Sequence, residues 1–232
     1  MHHATRRAPL AFNIVPARQP RRLAGKVALV ALGEGGIGGA VARTFAREGA
    51  DLAIVYFNDH RAAEEIRQHV LLEGVRCILL SGNATTDSFC RFAVRKVLSA
   101  LGRLDILVND AGRYCPHDGP GNDIGKAEIE AAFRANLLSM FYLTKAAAPR
   151  LADGGAIINT ASAPATKSAT VAFTRSLAGT LRSRRIRVNA VDPEVDGGEV
   201  DVIALRYVGL AVRGVESGTV QVFRPAAERR SR

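Results

Sequence analysis

Five glycines fall within seven residues, Gly33, Gly35, Gly36, Gly38 and Gly39, directly after the apolar run VALVA at residues 27–31. Gly33, Gly35 and Gly38 satisfy the pattern G-x-G-x-x-G, and Ile37 is the apolar residue between the last two cradle glycines. Glycine lets a chain turn sharply and brings backbone N–H groups close to an anion. Where such a loop opens a helix, the positive helix end adds attraction, so the chemistry this pattern can do is to hold a pyrophosphate. The same pattern occurs in ordinary strand–helix turns, and its meaning depends on the elements either side of it. Metal chemistry has no comparable support. Cys77, Cys90 and Cys115 lack CxxC spacing, and His60, His69 and His117 are isolated, with His2 and His3 in the head of the chain. An odd cysteine count without a framework suits a reducing cytoplasm.

The elements that would position the cradle alternate strand and helix. Apolar, β-branched runs at 27–31, 51–56, 75–80, 104–108, 156–160, 186–191 and 219–223 predict seven strands. Helical periodicity follows the first run from Ala40 to Ala46. It recurs around Glu64–Gln68, around Phe89–Val97, from about Ala127 to Ala148, from about Lys167 to Arg182, and at 202–212. Strands nearly apolar throughout, joined by helical crossovers, predict an α/β fold: a Rossmann-like, doubly wound parallel sheet with helices on both faces. The Gly cluster then sits where a phosphate cradle belongs, between strand one and the helix after it.

The net charge of +10 in 232 residues suggests a nucleic-acid partner until it is located. Residues 1–26 hold six basic groups and no acid, and residues 224–232 hold four Arg against Glu228, so nine of the ten excess charges lie in the ends. The body between is nearly neutral and has no basic surplus for a nucleic-acid face; Arg182, Arg184, Arg185 and Arg187 form the one local cluster, at a helix end. The expected organisation is a disordered basic tail at 1–22, one dinucleotide-binding domain at 23–223 and a basic tail at 224–232. No apolar run reaches the ~20 residues of a membrane span.

Seven blocks occur in order: LAGKVALV, GGIGGAVARTFAREGADLAIVYFN, GRLDILVNDAG, ANLLSMFYLTKAA, GAIINTAS, ATKSATVAFTRSLA and IRVNAVDP. Together they resemble the short-chain dehydrogenase/reductase family, in the branch of bacterial NAD(P)-dependent oxidoreductases that includes the general-stress-protein type. The resemblance runs from about Leu23 to Asp192 and returns at 217–223. It implies NAD or NADP as cofactor, with the choice open, since Tyr56, Phe57 and Asn58 end strand two with Asp59 and Arg61 beyond. It implies a carbonyl or alcohol substrate, and a homo-oligomer or a pairing with a related subunit through the helix at 127–148 and the one after Lys167. The cofactor-binding positions it implies are Gly33, Gly35, Gly36, Ile37, Gly38, Tyr56, Asn83, Asn109, Ala111, Gly112, Lys167 and Pro193. Asn83 stands where the family has an Asp meeting the adenine amino group, and an Asn amide oxygen can still accept there. The catalytic positions implied are Ser162, which orients the carbonyl, Asn136, which holds a proton-relay water, and Lys167.

The chain departs from the family at four further places. The Thr and first Gly of the strand-one motif are Ala31 and Leu32, and the second Asn of the Asn-Asn-Ala-Gly block is Asp110. The family's proton donor is a Tyr four residues before the Lys, and here that position is Ala163. Only four residues separate Ser162 from Lys167, so the segment that carries the Tyr is absent. After strand six the family's Pro-Gly is Pro193-Glu194, and 25 residues lie between Pro193 and Thr219 where a longer substrate loop belongs. Three readings follow: an oxidoreductase with impaired activity and a substituted proton donor (Ser162, a water or Tyr114), a nucleotide-binding pseudoenzyme or partner subunit, or a degraded gene product.

Overall fold

The computed structural model describes residues 20–32, 36–110, 126–162, 164–193, 200–212 and 214–223. Of the expected tails at 1–22 and 224–232, residues 1–19 and 224–232 fall outside these residues, while Arg21 and Arg22 are described and pair with Glu73 and Glu48 of the domain. Seven parallel strands, β1 (Val27–Ala31), β2 (Asp51–Tyr56), β3 (Cys77–Ser81), β4 (Ile106–Asn109), β5 (Ala156–Thr160), β6 (Arg187–Pro193) and β7 (Val220–Phe223), form one sheet in the order β3-β2-β1-β4-β5-β6-β7. The chain winds outward from β1 to β3, then returns past β1 to β4 and continues to β7. The adjacent carboxyl ends of β1 and β4 therefore form a topological switch point, where crossovers leave toward opposite sides and open a crevice.

The helices are α1 (Ile37–Arg47), α2 (His60–Leu72), α3 (Asp87–Leu101), α4 (Lys126–Phe133), α5 (Ser139–Ala147), α6 (Pro164–Thr180) and α7 (Val200–Ala211). Strand alternation sends Ala28, Val30, Leu52, Ile54, Ile106, Val108 and Ile158 to one face, where they pack with α1 residues such as Val41 and Phe45 and with α7 residues such as Ile203 and Tyr207. Leu29, Ala53, Val55, Leu107 and Ile157 face the other way, against Val94 and Val97 of α3 and Leu143 of α5. A sheet covered on both faces explains why its central strands read as continuous apolar runs.

The amino edge of the sheet is fastened by Asp105, which is 2% exposed. It accepts bonds from the Val27 amide at 3.0 Å and from the Arg103 guanidinium at 2.6 and 2.7 Å. The carboxyl edge keeps its polar groups for other uses. Between α4 and α5 the helix passes through one π turn, Arg134–Leu138, where an extra residue is accommodated; such turns re-aim side chains and often mark functional sites. Among the described residues no helix is long and apolar enough to cross a membrane.

Candidate functional site

A cleft of about 790 Å³ opens over the carboxyl ends of the first strands, bounded by Gly36, Tyr56, Asn58 and Asn83 on the loop side and by Arg134 and Ser139 on the helical wall. That volume lies within the range that binds small molecules. Helix α1 enters the cleft through Gly36, whose φ of 74° is left-handed and which offers no side-chain cap. Two residues on, the Gly38 amide donates to Asp110 Oδ2 at 2.7 Å. A Cβ on Gly38 would lie 2.9 Å from that oxygen and 3.3 Å from the Ala31 carbonyl oxygen, so only glycine fits this approach of helix to strand ends. Asp110 is 7% exposed, and its charge favours the positive end of α1. Ile37 is buried beside it. Gly33 and Gly35 lie outside the described residues.

The β2 end of the cleft is built by hydrogen bonds within its loops. The Tyr56 hydroxyl and His60 Nδ1 lie 2.6 Å apart. Asn58 takes a left-handed φ of 65°, a conformation Asn tolerates better than most residues. Asp59 caps α2 by accepting from the Ala62 amide at 2.9 Å. The Asn83 amide oxygen accepts from both the Thr85 amide, at 2.8 Å, and the Thr85 hydroxyl, at 2.7 Å. Two lone pairs are thereby used, which leaves the Asn83 NH₂ as a donor to the cleft in place of the acceptor expected from sequence.

Along the sheet, at the ends of β5 and β6, a second polar group assembles. Lys167, in the first turn of α6, places Nζ 2.6 Å from Asp192 Oδ2; the lysine side chain is 35% exposed and the aspartate 7%. Asn136, in the π turn, donates from Nδ2 to Thr166 Oγ1 at 3.3 Å. Asn136 and Lys167 are thus brought together through adjacent residues. Ser162 is exposed on the link from β5 to α6, and Pro193, buried, pairs with Phe223 next to Asp192. Ala163, Tyr114, Ala111 and Gly112 lie outside the described residues.

Beneath this edge, Asn109 donates to Thr144 Oγ1 at 3.0 Å and to Asn159 Oδ1 at 2.8 Å, and Asn159 donates to Thr174 Oγ1 at 2.9 Å. This buried chain ties β4 and β5 to α5 and α6. Asn109 Oδ1 is itself buried without a hydrogen-bond partner, an acceptor available to a ligand hydroxyl or a water. On the opposite face Tyr207 is fully buried, with its hydroxyl 2.7 Å from Thr160 Oγ1. Burial, reinforced by the nearby Asp110 charge, holds the Tyr207 hydroxyl well above its usual pKa and keeps it protonated.

Sequence reasoning did not anticipate the Asp110 bond to α1, the Lys167–Asp192 pair or Arg43, which lines the cleft. Asp110 had a visible signal, an acid in a block where the family has Asn. Arg43 had another, a cation among the apolar residues in the middle of α1, four positions after Gly39.

The family model described as Enoyl-(Acyl carrier protein) reductase matches residues 31–196. The chain is 46% identical over 184 residues to General stress protein 39 of Bacillus subtilis (strain 168), covering 74% of this chain and 64% of the relative. It is 45% identical over 184 residues to the oxidoreductase YhdF of the same organism, covering 74% and 63%. The chain therefore spans less than two thirds of the length of these relatives. Among solved structures, a short chain dehydrogenase from Burkholderia cenocepacia J2315 in complex with NADP superposes with a TM-score of 0.81 at 30% identity, covering 89% of this chain and 99% of that one.

Proposed function

Because the chain belongs to the short-chain dehydrogenase/reductase family, we propose that it is an NAD(P)(H)-binding oxidoreductase of carbonyl or alcohol substrates, with turnover impaired relative to a complete site. The observation that carries this reading is the cleft at the carboxyl ends of β1, β2 and β3, entered by α1 through Gly36 and Gly38. Its residues fit a dinucleotide: the Gly36–Gly38 backbone for phosphate, Asn58 and Asn83 for the adenosine half, and Asn109, Lys167 and Pro193 toward the nicotinamide half. Gly33, Gly35, Ala111 and Gly112 belong to the same proposed set through the family pattern.

The nicotinamide, when bound, supplies or accepts the hydride. The chain must then manage a proton at the substrate oxygen. The family pattern assigns Ser162 a hydrogen bond to that oxygen. Lys167, held from behind by Asp192, presents its ammonium at the same edge, and Asn136 fixes the neighbouring Thr166. With Ala163 in place of the Tyr, the proton comes from water or from Ser162, and the loss of a dedicated acid lowers the rate by about 10²–10⁴. The cysteine usage supports operation in the cytoplasm, and the family supports an assembly with a second copy or a related subunit.

A second reading is a catalytically inactive, nucleotide-binding partner subunit. It is favoured by one observation: the described tyrosine that reaches the end of β5, Tyr207, is fully buried with its hydroxyl on Thr160, and Tyr56, at the end of β2, is engaged by His60. Fluorescence titration with NADH and NADPH, followed by an aldehyde and ketone panel, separates the two. Binding with measurable turnover supports the first reading and binding without turnover supports the second. Failure of both cofactors to bind at millimolar concentration removes both.

A further inference from the structure

The cleft contains a cation that no described residue neutralises. Arg43 lies in the second turn of α1, half-buried, and no ion pair or hydrogen bond joins it to any other residue described. Its side chain turns back toward the start of the helix. A Cβ placed on Gly39 would lie 3.5 Å from Arg43 Nη1 and 2.9 Å from Ile66 Cδ1. The guanidinium therefore lies over Gly39, in space that a side chain at that position would fill, and it lines the same cleft as Tyr56, Phe57 and Asn58. Helical side chains lean toward the amino end, so the group approaches the positive end of α1 and reinforces it.

A half-desolvated guanidinium without a partner is costly in isolation, and a phosphate satisfies it with paired, charge-assisted hydrogen bonds. The acids nearby are already committed. Asp59 accepts from the Ala62 amide, and Glu65 is bonded to Arg61 at 3.1 Å. The two residues that follow β2, where a carboxylate would select an unphosphorylated ribose, are Phe57 and Asn58, both neutral. Among the described residues neither carboxylate pairs with Arg43.

Resting on the reading of the cleft as a dinucleotide site, we propose that Arg43 is the specificity-determining residue that binds the ribose 2′-phosphate, and that the protein prefers NADP(H) to NAD(H). The 2′-phosphate is a monoester that carries close to two negative charges at neutral pH, whereas each pyrophosphate group carries one. Were Arg43 instead a pyrophosphate ligand, both cofactors would depend on it equally.

The test is equilibrium titration of the full chain with NADPH and NADH, for the wild type and for Arg43→Gln and Arg43→Ala, with melting curves to confirm folding. The wild type is expected to bind NADPH about tenfold or more tightly than NADH. Each variant should lose most of that preference by weakening NADPH alone, and 2′-AMP should displace bound NADPH from the wild type more effectively than 5′-AMP. A variant that weakens NADPH and NADH alike, or a wild type that binds both equally, overturns the assignment while leaving the cleft intact. Binding of neither dinucleotide overturns the reading of the cleft and the assignment with it.

Discussion

The Asp110 carboxylate lies 2.7 Å from the Gly38 amide, at the point where α1 would face a phosphate. It satisfies a helix donor, yet it adds a negative charge beside an anionic ligand. The two roles separate by substitution. Asp110→Ala leaves a buried donor unpaired and should cost about 1–3 kcal/mol in urea unfolding. Asp110→Asn keeps an acceptor for Gly38 and removes the charge. It should therefore cost less and tighten NADPH binding by about fivefold at low salt, an effect that shrinks as salt rises. Unchanged affinity in Asp110→Asn would mean that the carboxylate lies too far from the phosphates to matter.

At the scale of elements, α6 is joined to β6 by Lys167 and Asp192, and the unequal exposure of the two side chains sets the expected energetics. Lys167→Met leaves a buried carboxylate without its partner and should cost about 2 kcal/mol, below the range for a fully buried pair because the lysine is partly solvated. Adding Asp192→Asn should recover at least half of that loss in a double-mutant cycle; simple additivity would show that the pair does not couple the two elements. Much at this scale was legible in sequence. The bounds of β1, β2 and β5 coincide with their apolar runs. Strand β3 begins at Cys77 rather than Val75, because the Arg76 amide is taken by the Asp51 carboxylate at 2.7 Å. The single helix expected at 127–148 is interrupted by a π turn, an insertion that periodicity does not reveal. The site was legible as motif positions along the chain. It was not legible as contacts, since Gly38 meets Asp110 across 72 residues and Lys167 meets Asp192 only because the sheet order makes β5 and β6 neighbours.

The whole molecule is a sheet sealed on both faces, and its cysteines report on that sealing. Burial pushes the Cys77 thiol up to about 12 and the Cys90 thiol up to about 11, from an ordinary value of 9.0. Both should resist alkylation at pH 8 in the native protein and react on unfolding, as read by peptide mapping. The pH dependence follows. The stabilisation from burying neutral thiols is complete below pH 9, where the unfolded chain also keeps its protons, and it is lost as pH rises toward 11 and 12, because the unfolded chain ionises first. The urea midpoint should therefore be lower at pH 10 than at pH 8, and replacing both residues with Ala should reduce that difference. The same architecture leaves a cleft at the carboxyl ends of β1, β2 and β3, and the functional account depends on that cleft holding a dinucleotide. A crystal structure of the protein grown with NADPH tests this most directly. The account predicts the pyrophosphate against Gly36–Gly38, the adenosine ribose beside Asn58 with its 2′-phosphate on Arg43, and the nicotinamide toward Lys167. A cofactor bound elsewhere, or an empty cleft at saturating NADPH, would contradict it.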